Sequence, residues 1–97
     1  MRPYEMTIVL TPSLEDDEAV DGQLSRFVKI LEDNGAKLEN VDKWGKRKLA
    51  YEVNGNTEGY YTVMHFDSDK EAAAELSRIL KLSDSVIRYL LVRRDEE

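Results

Sequence analysis

Lys43-Trp44-Gly45-Lys46-Arg47-Lys48-Leu49-Ala50-Tyr51-Glu52-Val53, followed by Asn54-Gly55-Asn56-Thr57-Glu58 and then Gly59-Tyr60-Tyr61, is the stretch whose reading decides the fold. Leu49, Tyr51 and Val53 alternate with Lys48, Ala50 and Glu52, which is the period of a strand. A second extended run follows the Asn/Gly-rich loop, so the two form a hairpin. The stretch holds the only Trp, three of the five Tyr and four of the fourteen Lys and Arg of an otherwise acidic chain, which points to a binding surface. Lysines on an edge strand also solvate it and oppose aggregation, so charge alone leaves the two readings level.

Upstream of the hairpin, extended pattern begins near Ala36, with Leu38, Val41 and Trp44 before Gly45. The apolar parity changes there, as one extra residue in a strand requires, so the spacing predicts a long strand kinked at Gly45. Before it, Val20, Leu24, Phe27, Val28 and Leu31 fall on one helical stripe, and Asn34-Gly35 supplies a left-handed stop. Ser13 with Asp16 resembles a capping box, and the acids at 15 to 18 suit the helix's positive end. Gly22 is a mild weakness inside this helix. At the amino end, Tyr4, Met6, Ile8 and Leu10 alternate with Glu5, Thr7 and Val9 as a strand that Thr11-Pro12 ends.

Downstream, Tyr60 to Phe66 form a strand with Tyr60, Met64 and Phe66 on one face and Tyr61, Val63 and His65 on the other. Ser68 and Glu71 form a second cap-like pair before a helix marked by Ala72, Ala73, Leu76, Ile79 and Leu80. Val86 to Arg93 close the chain as a strand in which Val86, Leu90 and Val92 alternate with Ile87, Tyr89 and Leu91. The order strand, helix, strand, strand, helix, strand is the split βαβ pattern of an α+β, ferredoxin-like domain. It predicts a four-stranded antiparallel sheet with both helices on one face, a single domain over residues 1–94 and a short acidic tail at 95–97. Two helices cover one sheet face, yet the last two strands carry apolar side chains at both parities. Several contiguous ones on the uncovered face point to a partner.

At 97 residues, with 41% hydrophobic and 35% charged side chains, the chain has room for one modest core and one function. No apolar run approaches the roughly 20 residues of a membrane span, and Met1-Arg2-Pro3-Tyr4-Glu5 lacks the apolar stretch of a signal peptide, so a cytoplasmic home is expected. Zero Cys excludes disulfides and thiolate metal sites. The net charge of −6 should repel naked nucleic acid at long range. That charge is uneven, however. Glu15, Asp16, Asp17, Glu18, Asp21, Glu32 and Asp33 crowd residues 14 to 34, while the hairpin and the last strand carry most of the cations.

Enzyme chemistry has little to draw on. There is one His and no metal-ligand spacing, so no catalytic residue, metal or cofactor is assigned. His65 reads as a packed or partner-facing imidazole. Thr11-Pro12-Ser13-Leu14 offers no phosphate cradle, which also weighs against acylphosphatase, an enzyme of this fold with a glycine-bearing phosphate loop. Glu15 to Glu18 lack the turn and spacing of a calcium loop. Glu58-Gly59-Tyr60-Tyr61-Thr62-Val63-Met64-His65 matches the RNA recognition motif at Gly59, Tyr60 and Val63, but departs from it at the basic and stacking positions Glu58, Thr62 and His65.

Five ordered landmarks carry a fuller resemblance: Arg2-Pro3-Tyr4-Glu5, Gly35-Ala36, Trp44-Gly45-Lys46-Arg47-Lys48-Leu49-Ala50-Tyr51, Glu58-Gly59-Tyr60-Tyr61 and Val86-Ile87-Arg88. Over the whole chain they resemble the bacterial small-subunit ribosomal protein six family. The resemblance implies a non-enzymatic protein that enters the central domain of 16S rRNA as a heterodimer with small-subunit ribosomal protein eighteen, with no membrane and no small-molecule substrate. Arg2, Arg47 and Arg88 match its basic positions and are assigned to phosphate, with Lys46 and Lys48 in support, because an Arg fork grips phosphate with two bonds. Trp44, Tyr61, Val63, His65, Leu90 and Val92 are assigned to the protein partner. Tyr4, Tyr51 and Tyr60 are read as core or sheet packing with the hydroxyl at the rim, not as base-stacking residues.

Two positions depart from the family. Glu52 stands where Pro is frequent, leaving a backbone donor free, and the tail Arg93-Arg94-Asp95-Glu96-Glu97 is brief, so the contacts of a longer extension are not expected of it. A basic partner would explain how so acidic a chain joins RNA, and the chain alone should bind RNA poorly. The competing reading is a small-molecule sensor or interaction domain of the same fold, dimerising through its open sheet. Its mark would be a glycine-bearing ligand loop after the first strand, where this chain has Thr11-Pro12-Ser13.

Overall fold

The computed structural model describes residues 1–14, 16–53 and 55–94. Its elements are β1 (Arg2–Leu10), α1 (Asp17–Asp33), β2 (Lys37–Val53), β3 (Asn56–Ser68), α2 (Lys70–Leu82) and β4 (Val86–Arg93). The acidic tail at 95–97, Glu15 of the acidic run and Asn54 of the hairpin loop lie outside the described residues. The strands pair antiparallel in the order β2-β3-β1-β4. This is the interleaved order that two βαβ units produce, with β3 between β1 and β2.

Both helices lie on the face of the sheet that carries the even positions of β1. Tyr4, Met6, Ile8 and Leu10 pack with Leu24, Phe27 and Leu31 of α1, Leu76 and Leu80 of α2, and Met64 and Phe66 of β3. Phe27, Phe66, Met6 and Ile8 are fully buried, each worth roughly 1.5–3 kcal/mol relative to exposure.

The caps differ from expectation in position. Asp16, not Ser13, caps α1: its carboxylate accepts from the Ala19 N–H at 2.9 Å, while the Ser13 and Thr11 hydroxyls bond to each other. Asp69, not Ser68, caps α2 by accepting from the Ala72 N–H at 2.8 Å, because Ser68 is buried as the last residue of β3 opposite Arg2. Aspartate serves as well as serine in this role, so the position that the chain can turn at decides. The end of α1 follows the sequence: Gly35 N–H bonds Glu32 O and Ala36 N–H bonds Leu31 O, with Gly35 at φ +86°.

Register shifts set which side chains face where, the first at Glu39, which is extra between Leu38 opposite Phe66 and Asn40 opposite His65. Lys43 pairs Thr62 and Gly45 pairs Tyr61, leaving Trp44 as the extra residue beside Gly45 at φ +80°, at the predicted kink. On β4, Arg88 pairs Val9 but Val86 pairs Leu10, so Ile87 is extra. Val86 therefore packs on the core with Tyr89 and Leu91, against the simple alternation read from the sequence. Gly59 is fixed by proximity: a Cβ there would lie 2.5 Å from Val9 Cγ1 and 2.9 Å from the Leu10 carbonyl oxygen.

Beyond Gly59, β1 no longer pairs with β3, and the β2-β3 hairpin continues as a two-stranded arm. Among the described residues no helix underlies that arm. The alternation of Leu49, Tyr51 and Val53 therefore does not create a buried face: Leu49 and Val53 are half-buried and Tyr51 is exposed.

Candidate nucleic-acid and partner interface

The sheet face away from the helices is built in three rows. Asn40, His65, Glu5 and Val92 lie side by side, then Asp42, Val63, Thr7 and Leu90, then Gly45, Tyr61, Val9 and Arg88. Strand alternation places these residues on one face, since each row is two positions along from the next on β1, β3 and β4, and on β2 the bulge at Trp44 adds one position between Asp42 and Gly45. Trp44 joins them through its bulge. Its ring stacks on Tyr61 at 6.4 Å between centroids and 13° between planes, and its Nε1–H donates to Asp42 at 3.0 Å.

All six residues assigned to a protein partner thus gather on this face, in two kinds of position. Trp44, Leu90 and Val92 are 49%, 55% and 40% exposed. Tyr61 and His65 are half-buried, and Val63 is buried, so it is floor and not contact surface in the chain alone. Val9 is buried beside it, and its place at the uncovered parity of the first strand was visible in the alternation. Thr7, Val9, Tyr61, Arg88, Tyr89 and Leu90 line a shallow depression in the face. His65 Nε2 lies 2.9 Å from Glu5 Oε1 at the rim.

The cations separate into two groups. Lys46, Arg47 and Lys48 sit opposite Tyr60, Gly59 and Glu58, where the hairpin leaves the sheet, and Arg88 is at the same end. The Lys46 ammonium lies 5.3 Å from the Tyr60 ring centroid. Arg88 Nη1 donates to the Tyr51 hydroxyl at 2.7 Å, tying β4 to the arm. Arg2 is not with them: it pairs Ser68 at the opposite end of β1, roughly 27 Å away along the strand. Its neighbours there are Arg93, which pairs Tyr4, and Arg94, whose N–H donates to Pro3 O.

The acidic helix faces elsewhere. Asp21 on α1 takes up Lys43 at 2.7 Å, so Lys43 is neutralised while Lys46, Arg47 and Lys48 remain exposed on the arm. The charge shift that the structure resolves is remote from both surfaces: on α2, a hydrogen bond from Arg78 holds the exposed Glu75 carboxyl below its ordinary value. Among the described residues no group of His, Cys, Asp and Glu could hold a metal ion, and no helix is long and apolar enough to cross a membrane.

The chain's similarities can be set beside this geometry. A family model described as "Ribosomal protein S6" matches residues 3–93. The "Small ribosomal subunit protein bS6" of Thermoanaerobacter pseudethanolicus is 45% identical over 96 residues, covering 99% of this chain and 100% of that protein. The protein of the same name from Clostridium botulinum strain Loch Maree is 43% identical over 95 residues, covering 98% and 100%. The crystal structure of 30S ribosomal protein S6 from Thermotoga maritima superposes with a TM-score of 0.90 at 32% identity, over 96% of this chain and 87% of that one.

Proposed function

We propose that this chain, which belongs to the ribosomal protein S6 family, enters the central domain of 16S rRNA as a heterodimer with small-subunit ribosomal protein eighteen. It is a structural protein of the small ribosomal subunit and not an enzyme. The observation that carries the finer reading is the meeting of two unlike surfaces: an uncovered apolar face that runs from Trp44 past Leu90 to Val92, and, beyond its Trp44 end, an arm bearing Lys46, Arg47 and Lys48. The first suits a protein and the second suits phosphate.

With a net charge of −6, the chain gains little from RNA unless a basic partner supplies most of the neutralisation. Arg47 and Arg88 are the first choices for phosphate on the arm side. Arg2, at the far end of β1, requires a separate stretch of RNA or makes no phosphate contact together with them. A ribosomal role places the protein in the cytoplasm.

The test is binding to a central-domain RNA fragment across a salt titration, for the chain alone, for the chain with its basic partner, and for the Arg47→Ala variant of that pair. Tight binding is expected only with the partner, and Arg47→Ala should weaken it and lower the salt slope by roughly one. Binding unaffected by both partner and substitution would make the arm ordinary solvated surface.

A further inference from the structure

We propose that Tyr51, held by Arg88, is a stacking platform for one unpaired RNA base; this deepens the RNA-binding reading above and rests on it. Between the pairs Lys48 with Glu58 and Val53 with Asn56, the four residues Leu49–Glu52 face the single residue Thr57. This part of β2 leaves the ladder, and its side chains are released from strand alternation. Tyr51 is carried out of any apolar layer and is 61% exposed, more than Trp44. It is therefore not the packing residue that the sequence pattern suggested.

An exposed aromatic ring has no use for the core, yet this one is fixed. Its hydroxyl accepts the 2.7 Å bond from Arg88 Nη1, with the guanidinium carbon 5.6 Å from the ring centroid. The ring is thus pinned at its hydroxyl end while most of its surface stays open. A pre-positioned ring loses less rotamer entropy when something settles on it. Bases stack on such rings whatever their identity, so the platform fixes position and not sequence. The surrounding charge selects the occupant. Exposed Lys46, Arg47 and Lys48 on the same strand, with Arg88 beside the ring, attract the phosphates flanking a base and repel a basic protein.

The experiment uses the heterodimer and a central-domain RNA fragment, titrated with salt, comparing Tyr51→Leu, Tyr51→Trp and Arg47→Ala. Tyr51→Leu should weaken binding roughly 5- to 150-fold without changing the salt slope. Tyr51→Trp should bind about as well as the parent, and Arg47→Ala should lower both affinity and slope. Because the ring is exposed, thermal unfolding of Tyr51→Leu should match the parent. Parent-like RNA binding by Tyr51→Leu beside a weakened Arg47→Ala overturns the platform and leaves the RNA reading standing. Loss of heterodimer formation in Tyr51→Leu overturns it in favour of a protein contact. If the parent heterodimer itself fails to bind the RNA, the RNA reading falls and the platform with it.

Discussion

Apolar residues of adjacent strands meet opposite fates on the two faces of this sheet. Met6, Ile8, Met64 and Phe66 lie under the helices with no exposure, whereas Leu90 and Val92, at the other parity of β4, are 55% and 40% exposed. Both sets are apolar, so composition does not distinguish them. What differs is cover: α1 and α2 supply Phe27, Leu31, Leu76 and Leu80 to one face and nothing to the other. A sheet buried on one side ordinarily alternates apolar with polar. Here the second face keeps a buried apolar centre of Val9 and Val63 with Trp44, Leu90 and Val92 around it, the composition that the proposed partner surface requires.

Substitution on each face should separate stability from association. Phe27→Ala should cost about 3–5 kcal/mol in denaturant unfolding, because it opens a cavity in the helix-covered core. Leu90→Asp should leave unfolding within about 0.5 kcal/mol of the parent, yet weaken the proposed heterodimer by about 2 kcal/mol or more in calorimetric titration. A Leu90→Asp protein that unfolds early but associates normally would reverse the assignment of the two faces.

Gly59 probes the seam where β1 ends and the arm begins. Gly59→Ala should destabilise by about 1–3 kcal/mol, since its Cβ would overlap Val9 and the Leu10 carbonyl oxygen. Retained stability, measured by chemical denaturation, would mean that the strands separate easily there. Thr62 breaks the rule of the covered face in a smaller way. Its hydroxyl is buried without a hydrogen-bond partner among the described residues, so Thr62→Val should raise stability by about 1 kcal/mol.

The smallest effect belongs to the solvated helix surface. Arg78 lowers the Glu75 pKa through a hydrogen bond, so the pair's contribution is present above the unfolded carboxyl pKa and lost as pH falls through the folded one. Glu75→Gln should therefore differ slightly from the parent near neutral pH and converge with it in acid. A melting-temperature series against pH checks this.

The sequence made the fold readable because helical stripes and strand alternation are dictated by burial, and burial is regular wherever the helices cover the sheet. Element order, the stop at Gly35, the kink at Gly45 and the bounds of the last strand all follow from that pattern. Regularity fails where the constraint is local or absent. Either cap of α1 was chemically acceptable, and only the geometry of the turn chose Asp16 over Ser13. The bulge at Ile87 leaves no mark in a run of apolar residues that reads well at both parities. Tyr51 looked like a packing residue because its neighbours alternate, but no helix lies beneath the arm to enforce that alternation. The gathering of Tyr61, Leu90 and Val92 was legible from parity, whereas Trp44 reaches them only through its bulge, and the separation of Arg2 from Arg47 and Arg88 emerged only from strand register.

The uncovered face carries the chain's single Trp, half-exposed and stacked on Tyr61, which makes its docking directly observable. The decisive measurement is Trp44 emission and acrylamide quenching before and after addition of the basic protein partner, with complex formation followed independently by sedimentation. A blue-shifted emission and reduced quenching in the complex are expected if the partner covers this face. Unchanged emission and unchanged quenching in a complex that has demonstrably formed would contradict it and move the interface elsewhere.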